Sequence, residues 1–180
     1  MKFDMILAVD SENWIWKVNS LPWNIPTDMA YFHKMTTRTQ DLWKMNAVIM
    51  WKNTWASIPV KRKPLSDRIN CVLSHKLENS DIGSKIDDFV LYFESFEHCL
   101  SELESKENVE NIWVMWWADL YNYSLNSEFL DKIYITRIKW DFDCDVFFDW
   151  IPKNFALESY TDWQEENGNE FRFEVYKKVA

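Results

Sequence analysis

Short, uninterrupted apolar runs set most of what this chain can become. Met5-Ile6-Leu7-Ala8-Val9 offers no polar position to turn toward water, so a strand built from it must be covered on both faces. Similar runs recur at Asn46–Met50, Arg68–Ser74, Phe89–Phe93, Asn111–Met115 and Lys132–Ile138, rich in Val, Ile and Tyr and bounded by polar residues. Helical patterns separate them. Pro26-Thr27-Asp28 is a first-turn start signal, and Met29, Phe32, His33 and Thr36 follow at i, i+3, i+4 and i+7. Ser95 is placed to cap a helix with the stripe Phe96, Cys99, Leu100 and Leu103. Ala118, Leu120, Tyr121 and Leu125 mark a third helix, and Asn53–Ser57 a shorter one. The expectation is an α/β fold: a central mixed, mostly parallel sheet of about eight strands with about four flanking helices.

The end of the chain differs. Asn167-Gly168 stands between Gln164-Glu165-Glu166 and the alternating Phe171, Phe173, Val175, which predicts a tight antiparallel hairpin. Its first strand is expected to include Ala156–Trp163. With 180 residues and no repeat or low-complexity linker, residues 1–180 read as one domain.

Composition excludes several classes. Hydrophobic residues at 47% and charged residues at 27% are globular values, not those of disordered or collagen-like chains. A net charge of −9 argues against a phosphate-backbone binder, so no nucleic-acid partner is expected. No apolar run approaches the roughly 20 residues of a membrane span. The first ten residues have too short an apolar part for a signal peptide. Cys71, Cys99 and Cys144 are far apart and read as reduced thiols of a cytoplasmic protein. His33, His75 and His98 are equally scattered, and no metal site is expected. Two counts stand out. There are 2 glycines where average usage of about 7% predicts many more, and there are 12 tryptophans.

Strand-to-helix junctions follow Val9, Met50, Ser74 and Met115. Such junctions, at the carboxyl ends of parallel strands, are where open α/β sheets bind ligands, often phosphate-bearing ones. Spacing alone stops at a nucleotide-type ligand.

The residues themselves go further. Ile6-Leu7-Ala8-Val9-Asp10, Leu21-Pro22-Trp23, Asp28-Met29-Ala30-Tyr31-Phe32 and Asn46-Ala47-Val48-Ile49-Met50 resemble dihydrofolate reductases of the animal type. Lys52-Asn53-Thr54-Trp55, Arg62-Lys63-Pro64-Leu65-Ser66-Asp67-Arg68-Ile69-Asn70, Ile112-Trp113-Val114-Met115, Tyr134-Ile135-Thr136-Arg137-Ile138 and the Gln164–Gly168 turn continue the match in order. The resemblance covers essentially the whole chain.

It implies a dihydrofolate reductase-like fold, usually monomeric, that uses NADPH to reduce 7,8-dihydrofolate and binds antifolates such as methotrexate. Asp28 matches the active-site carboxylate, which can accept paired hydrogen bonds from a pterin edge. Read locally, it is equally an acidic residue suited to a helix start. Leu21 and Trp23 match the loop beside the substrate, Trp23 holding a water, and Thr136 matches the residue tied to Asp28. Arg68 matches the arginine that grips the substrate's α-carboxylate; read locally it is a surface ion-pair partner. Ile6, Met29, Phe32, Ser57, Ile58, Arg62, Leu65, Met115 and Tyr121 complete the implied substrate site. The implied cofactor site takes Ala8, Trp14, Ile15, Trp16, Lys17 and Ser20 near the nicotinamide. Lys52, Asn53 and Thr54 match its phosphate site, and Ser74, His75 and Lys76 its 2′-phosphate pocket. Trp116, Trp117, Ala118, Asp119, Leu120 and Tyr121 complete it.

The chain also departs from the family. Trp stands at positions 14, 16, 51, 116, 117 and 140, where the family has Gly, and Trp43, Trp150 and Trp163 are surplus as well. Trp116-Trp117 replaces a Gly pair at the cofactor groove, where overpacking costs about 1–3 kcal/mol per site. Three readings follow: a reductase; a silent folate- or antifolate-binding homologue whose NADPH groove Trp116 and Trp117 block; or an interaction domain that uses its exposed indoles.

Overall fold

The computed structural model describes residues 2–16, 21–75, 89–115, 118–144 and 146–179. Strands β1 (Phe3–Val9), β3 (Met45–Trp51), β4 (Arg68–Leu73), β5 (Val90–Phe93) and β6 (Val109–Met115) are the apolar runs of the sequence. β7 (Leu130–Ile138), β9 (Phe155–Tyr160), β10 (Gln164–Glu166) and β11 (Asn169–Lys178) complete a nine-stranded sheet in the order β10-β11-β7-β1-β6-β3-β4-β5, with β9 paired to β11. The pairs from β7 through β1, β6, β3 and β4 to β5 are all parallel; those made by β11 are antiparallel. A separate short ribbon joins β2 (Trp14–Trp16) to β8 (Val146–Phe147).

Helices α1 (Pro26–Thr37), α2 (Lys52–Ser57), α3 (Phe96–Glu104) and α4 (Ala118–Leu125) cover the sheet. One face carries the larger core, from Phe3, Met5 and Leu7 to Phe96, Cys99, Leu103 and Tyr121. The opposite face carries two smaller clusters. Ile6, Phe32, Val48, Met50, Ile58, Leu65, Trp113 and Met115 form one, and Trp23, Ile25, Ile138, Phe171 and Phe173 the other. The alternation along β1, with Ile6 on one side and Met5 and Leu7 on the other, is the pleat expected of a doubly covered strand.

The mixed fold anticipated from the sequence is the fold observed, and Ser95 caps α3 by accepting the His98 amide at 3.2 Å. The hairpin differs in detail. The strand expected to include Ala156–Trp163 ends at Tyr160: β9 pairs with the distal part of β11, and a separate β10, starting at Gln164, forms the hairpin with the beginning of β11. The break falls at Thr161, whose amide donates to Phe173 O and whose hydroxyl accepts from Phe173 N, next to a register shift at Val175/Tyr176. A bulge of this kind leaves no signal in apolar alternation.

Scarce glycine is compensated by Asn and Asp. Asn13, Asp67, Asp143 and Asn167 all adopt positive φ, and these are the side chains that tolerate the left-handed region best. Asn13 takes that conformation immediately before Trp14. Trp43, Trp140 and Trp150 face solvent. Trp163 lies beneath the Arg172 and Lys139 cations, at 4.8 and 5.8 Å.

Candidate active site

Asp28 enters the site from the first turn of α1. The side chain of the preceding Ile25 cannot cap that helix, and the hairpin does so instead: Thr27 N donates to Glu166 Oε2 at 2.8 Å, while Asn167 donates to Asn24 O at 3.1 Å and ties down the segment that leads into the helix. At the other end of α1, the buried Asn46 donates to Thr36 O and Arg38 O, while its Oδ1 accepts two bonds from Asn111. Both ends of the helix are thereby pinned to strands, and its buried stripe of Asp28, Phe32 and Thr36 is turned to the sheet.

The Asp28 side chain is buried at 8% exposure, and Thr136 Oγ1 on β7 donates to its Oδ1 at 2.6 Å. Burial pushes its carboxyl up to about 6, against the Thr136 hydrogen bond that favours the charged form. Tyr31, on the same helix, is driven up to about 12 by burial and by the neighbouring Asp28 charge. Trp23, 7% exposed, has an indole Nε1 with no hydrogen-bond partner among the described residues. An orphaned donor of this kind suits an ordered water.

A cleft of about 580 Å³ opens between α1 and the segment 57–68. Leu21, Met29, Phe32, Ser57, Ile58, Arg62, Leu65 and Arg68, all expected from the sequence, line it. His33, Pro59, Lys61, Pro64 and Ser66 also line it and were not anticipated. His33 lies one helical turn beyond Met29, so the i, i+4 spacing held its signal. The wall is rigid because Asn70, fully buried, grips it. Asn70 accepts from Leu65 N and donates to Leu65 O and Arg68 O, each at 3.0 Å.

Arg68 is the unusual group. It is 3% exposed, and it donates to Thr36 Oγ1 at 2.8 Å and to Ser66 O at 3.0 Å, with its guanidinium 5.7 Å from the Phe32 ring. Burial lowers its pKa to about 10. No carboxylate forms an ion pair with it among the described residues. The hydrogen bonds of Arg68 go to neutral acceptors, with the Asp67 charge nearby favouring the protonated form, so the guanidinium keeps its positive charge at the cleft wall.

The other expected residues fall into separate groups. Ile6 and Met115 lie in the Phe32 core cluster, and Ala8 packs against the Trp23 cluster. Tyr121 is 1% exposed in the larger core and donates to Ile6 O at 2.8 Å, bracing β1 from behind the cleft. Leu120 and Ile15 are buried in that same core. Trp14 meets Phe147 edge-on at 5.2 Å, in a loop braced by the buried Asp10, which accepts the amides of Glu12 and Trp14. Lys52, Asn53 and Thr54 form the first turn of α2; Ser74 and His75 follow β4, with His75 exposed and 4.6 Å from the Trp51 ring. Lys17, Ser20, Lys76, Trp116 and Trp117 lie outside the described residues, as do the side chains of Trp16, Ala118 and Asp119.

Fold and site together give an α/β domain in which a buried arginine lines the cleft and a buried carboxylate, Asp28, stands outside the lining itself, next to the lining residue Met29 on the helix that forms one wall. The dihydrofolate reductase family model matches residues 2–178. The chain is 36% identical to the dihydrofolate reductase of Drosophila melanogaster, over 99% of this chain and 98% of that one. It is also 36% identical to that of Gallus gallus, over 96% and 94%. The viral dihydrofolate reductase of Saimiriine herpesvirus 2 is 38% identical, over 97% of this chain and 84% of its own. The chain belongs to the dihydrofolate reductase family.

Proposed function

We propose that the chain, as one domain over residues 1–180, is a dihydrofolate reductase that converts 7,8-dihydrofolate to 5,6,7,8-tetrahydrofolate. The observation that carries this reading is Asp28 at 8% exposure beside an apolar cleft whose far wall holds Arg68. The ionised carboxylate accepts two hydrogen bonds from the 2-amino group and adjoining ring nitrogen of the pterin and so fixes the ring in the slot. Thr136 holds that carboxylate in register. Phe32, Met29, Ile58 and Leu65 exclude water around the ring and benzoyl group, which strengthens each polar contact. Arg68 receives the α-carboxylate of the glutamate. The orphaned Trp23 N–H holds the water from which a proton reaches the ring.

The described part of the cofactor site fits NADPH in its donor set. Lys52, Thr54, Ser74 and His75 put cationic, hydroxyl and ring N–H groups at the carboxyl ends of β3 and β4, where such sheets take phosphates. A nicotinamide held there would supply hydride for C6, and the protein's part would be to hold the two rings in contact.

A second reading is a folate-binding homologue that turns over poorly. The indole of Trp51, packed against His75 at the edge of the phosphate site, favours it. Absorbance at the nicotinamide band, with dihydrofolate and NADPH present, separates the two. Turnover supports the reductase. Methotrexate binding without NADPH binding or turnover supports the second reading, and failure to bind either ligand overturns both. No helix among the described residues is long and apolar enough to cross a membrane; a cytoplasmic monomer is part of the proposal.

A further inference from the structure

Strand register assembles a polar group below the substrate cleft that the proposed chemistry does not use. β1 runs between β6 and β7, so Asp4 stands beside Trp113 on one side and Lys132 on the other, while Ile6 stands beside Met115 and Tyr134. Asp4, Trp113 and Tyr134 therefore share the sheet face that carries the Phe32 cluster. The Trp113 and Tyr134 rings meet with centroids 5.1 Å apart. Trp113 is 3% exposed, and its indole Nε1 has no hydrogen-bond partner among the described residues. Asp4 accepts one bond, at 3.0 Å, from Lys132 N. One buried donor without an acceptor, beside a carboxyl group and a phenol, is the environment in which proteins hold internal water, typically through about three hydrogen bonds.

The geometry points to a buried water-binding site in which one water accepts the Trp113 indole proton and donates to the Asp4 carboxylate and the Tyr134 oxygen. Such a water makes Trp113 a reporter of the charge on Asp4. Burial, and then the charge of Asp131, push the Asp4 carboxyl up to about 7, with Lys132 and Lys2 opposing. Lys2 is itself paired with Asp131 at 2.6 Å. Tyr134 is held above its ordinary range by burial and by Asp4, Tyr31, Glu158 and Asp131. The charge change at Asp4 thus falls near neutral pH. Through the water it reaches an indole in the same cluster as Phe32 and Met115. This inference does not depend on what occupies the cleft.

Indole N–H resonances of the 15N-tryptophan-labelled chain test it, with Trp113 assigned by Trp113→Phe. In the wild type, the Trp113 N–H should show a cross-peak to water and should shift with a midpoint near 7 across about pH 5 to about pH 9. In Asp4→Asn, whose amide oxygen still accepts from Lys132 N, the cross-peak should remain and the titration vanish. A wild-type indole with no water cross-peak overturns the site without any variant. A resonance that does not move with pH, or moves identically in Asp4→Asn, overturns the link to Asp4.

Discussion

The hydroxyl of Thr136 donates to the carboxylate of Asp28 at 2.6 Å, joining the seventh strand to the first helix across 108 residues of sequence. That contact orients the buried acid beside the cleft and limits how far burial raises its pKa. Replacing Thr136 with Val removes the hydrogen bond that favours the charged form. The Asp28 midpoint, read from the pH dependence of folate affinity, should move above about 6. Losing a hydrogen bond to a charged group costs about 1.5–3 kcal/mol, which depletes the charged form so that affinity at neutral pH should fall by roughly 2- to 15-fold. Unchanged affinity and midpoint would contradict the role given to Thr136.

Asp28 itself should trade stability for binding. Its folded-state carboxyl lies near 6, above the ordinary 3.8, so the native state holds the proton more tightly than the unfolded chain. The stability this gives is complete below about pH 4 and is lost as pH rises through about 6. The difference is roughly 3 kcal/mol by the usual conversion. Asp28→Asn escapes that loss. At pH 7 it should resist urea better than the wild type, by about 1–3 kcal/mol, while turnover falls at least about 100-fold. A variant that is both less stable and fully active would refute the assignment.

Arg68→Leu should act on the substrate's anionic end. The Michaelis constant for dihydrofolate should rise by about 100-fold, the value of one charged hydrogen-bonding pair, with a much smaller change in kcat. A pterin without the glutamate should bind wild type and variant alike. Equal losses for both ligands would mean that the substitution had only damaged packing against Phe32.

Glu174 should be the acid-sensitive anchor of the last strand. It is 1% exposed and accepts from Arg137 at 3.0 Å, Arg172 at 2.7 Å and Tyr176 at 3.0 Å. The Arg137 charge, the hydrogen bonds from both arginines and the Tyr176 hydroxyl outweigh its burial and hold its pKa below the ordinary carboxylate value. The resulting stability is present above about pH 4.5 and fades on acidification below it. Glu174→Gln should therefore cost about 3 kcal/mol in urea unfolding at neutral pH and remove that part of the acid sensitivity.

The fold was legible where one local signal sufficed. The run from Met5 to Val9 has no polar face, and that alone demands a strand covered on both sides. The start signal at Pro26 and the cap at Ser95 mark helices for equally local reasons. Asp28, Thr136 and Arg68 were legible only through family resemblance, since neither the acid nor the arginine is unusual in its own segment. What stayed hidden depends on tertiary pairing. The β2–β8 ribbon joins segments more than a hundred residues apart, and the interruption at Thr161 is set by its two bonds to Phe173. Ser66 lies within the segment that Asn70 grips between Leu65 and Arg68, and no period in the sequence announces that it lines the cleft.

The helix that carries Asp28 is capped by Glu166, from the hairpin that leads into the final strand, while Asn167 of the same turn holds Asn24 just ahead of it. A chain emerging from the ribosome therefore exposes its acid long before it can seat it. Until the closing hairpin is synthesised, the first helix lacks the partner that satisfies its leading amide. Ligand capture should consequently begin only when synthesis is nearly finished, and a chain stalled before residue 164 should have no grip on folate.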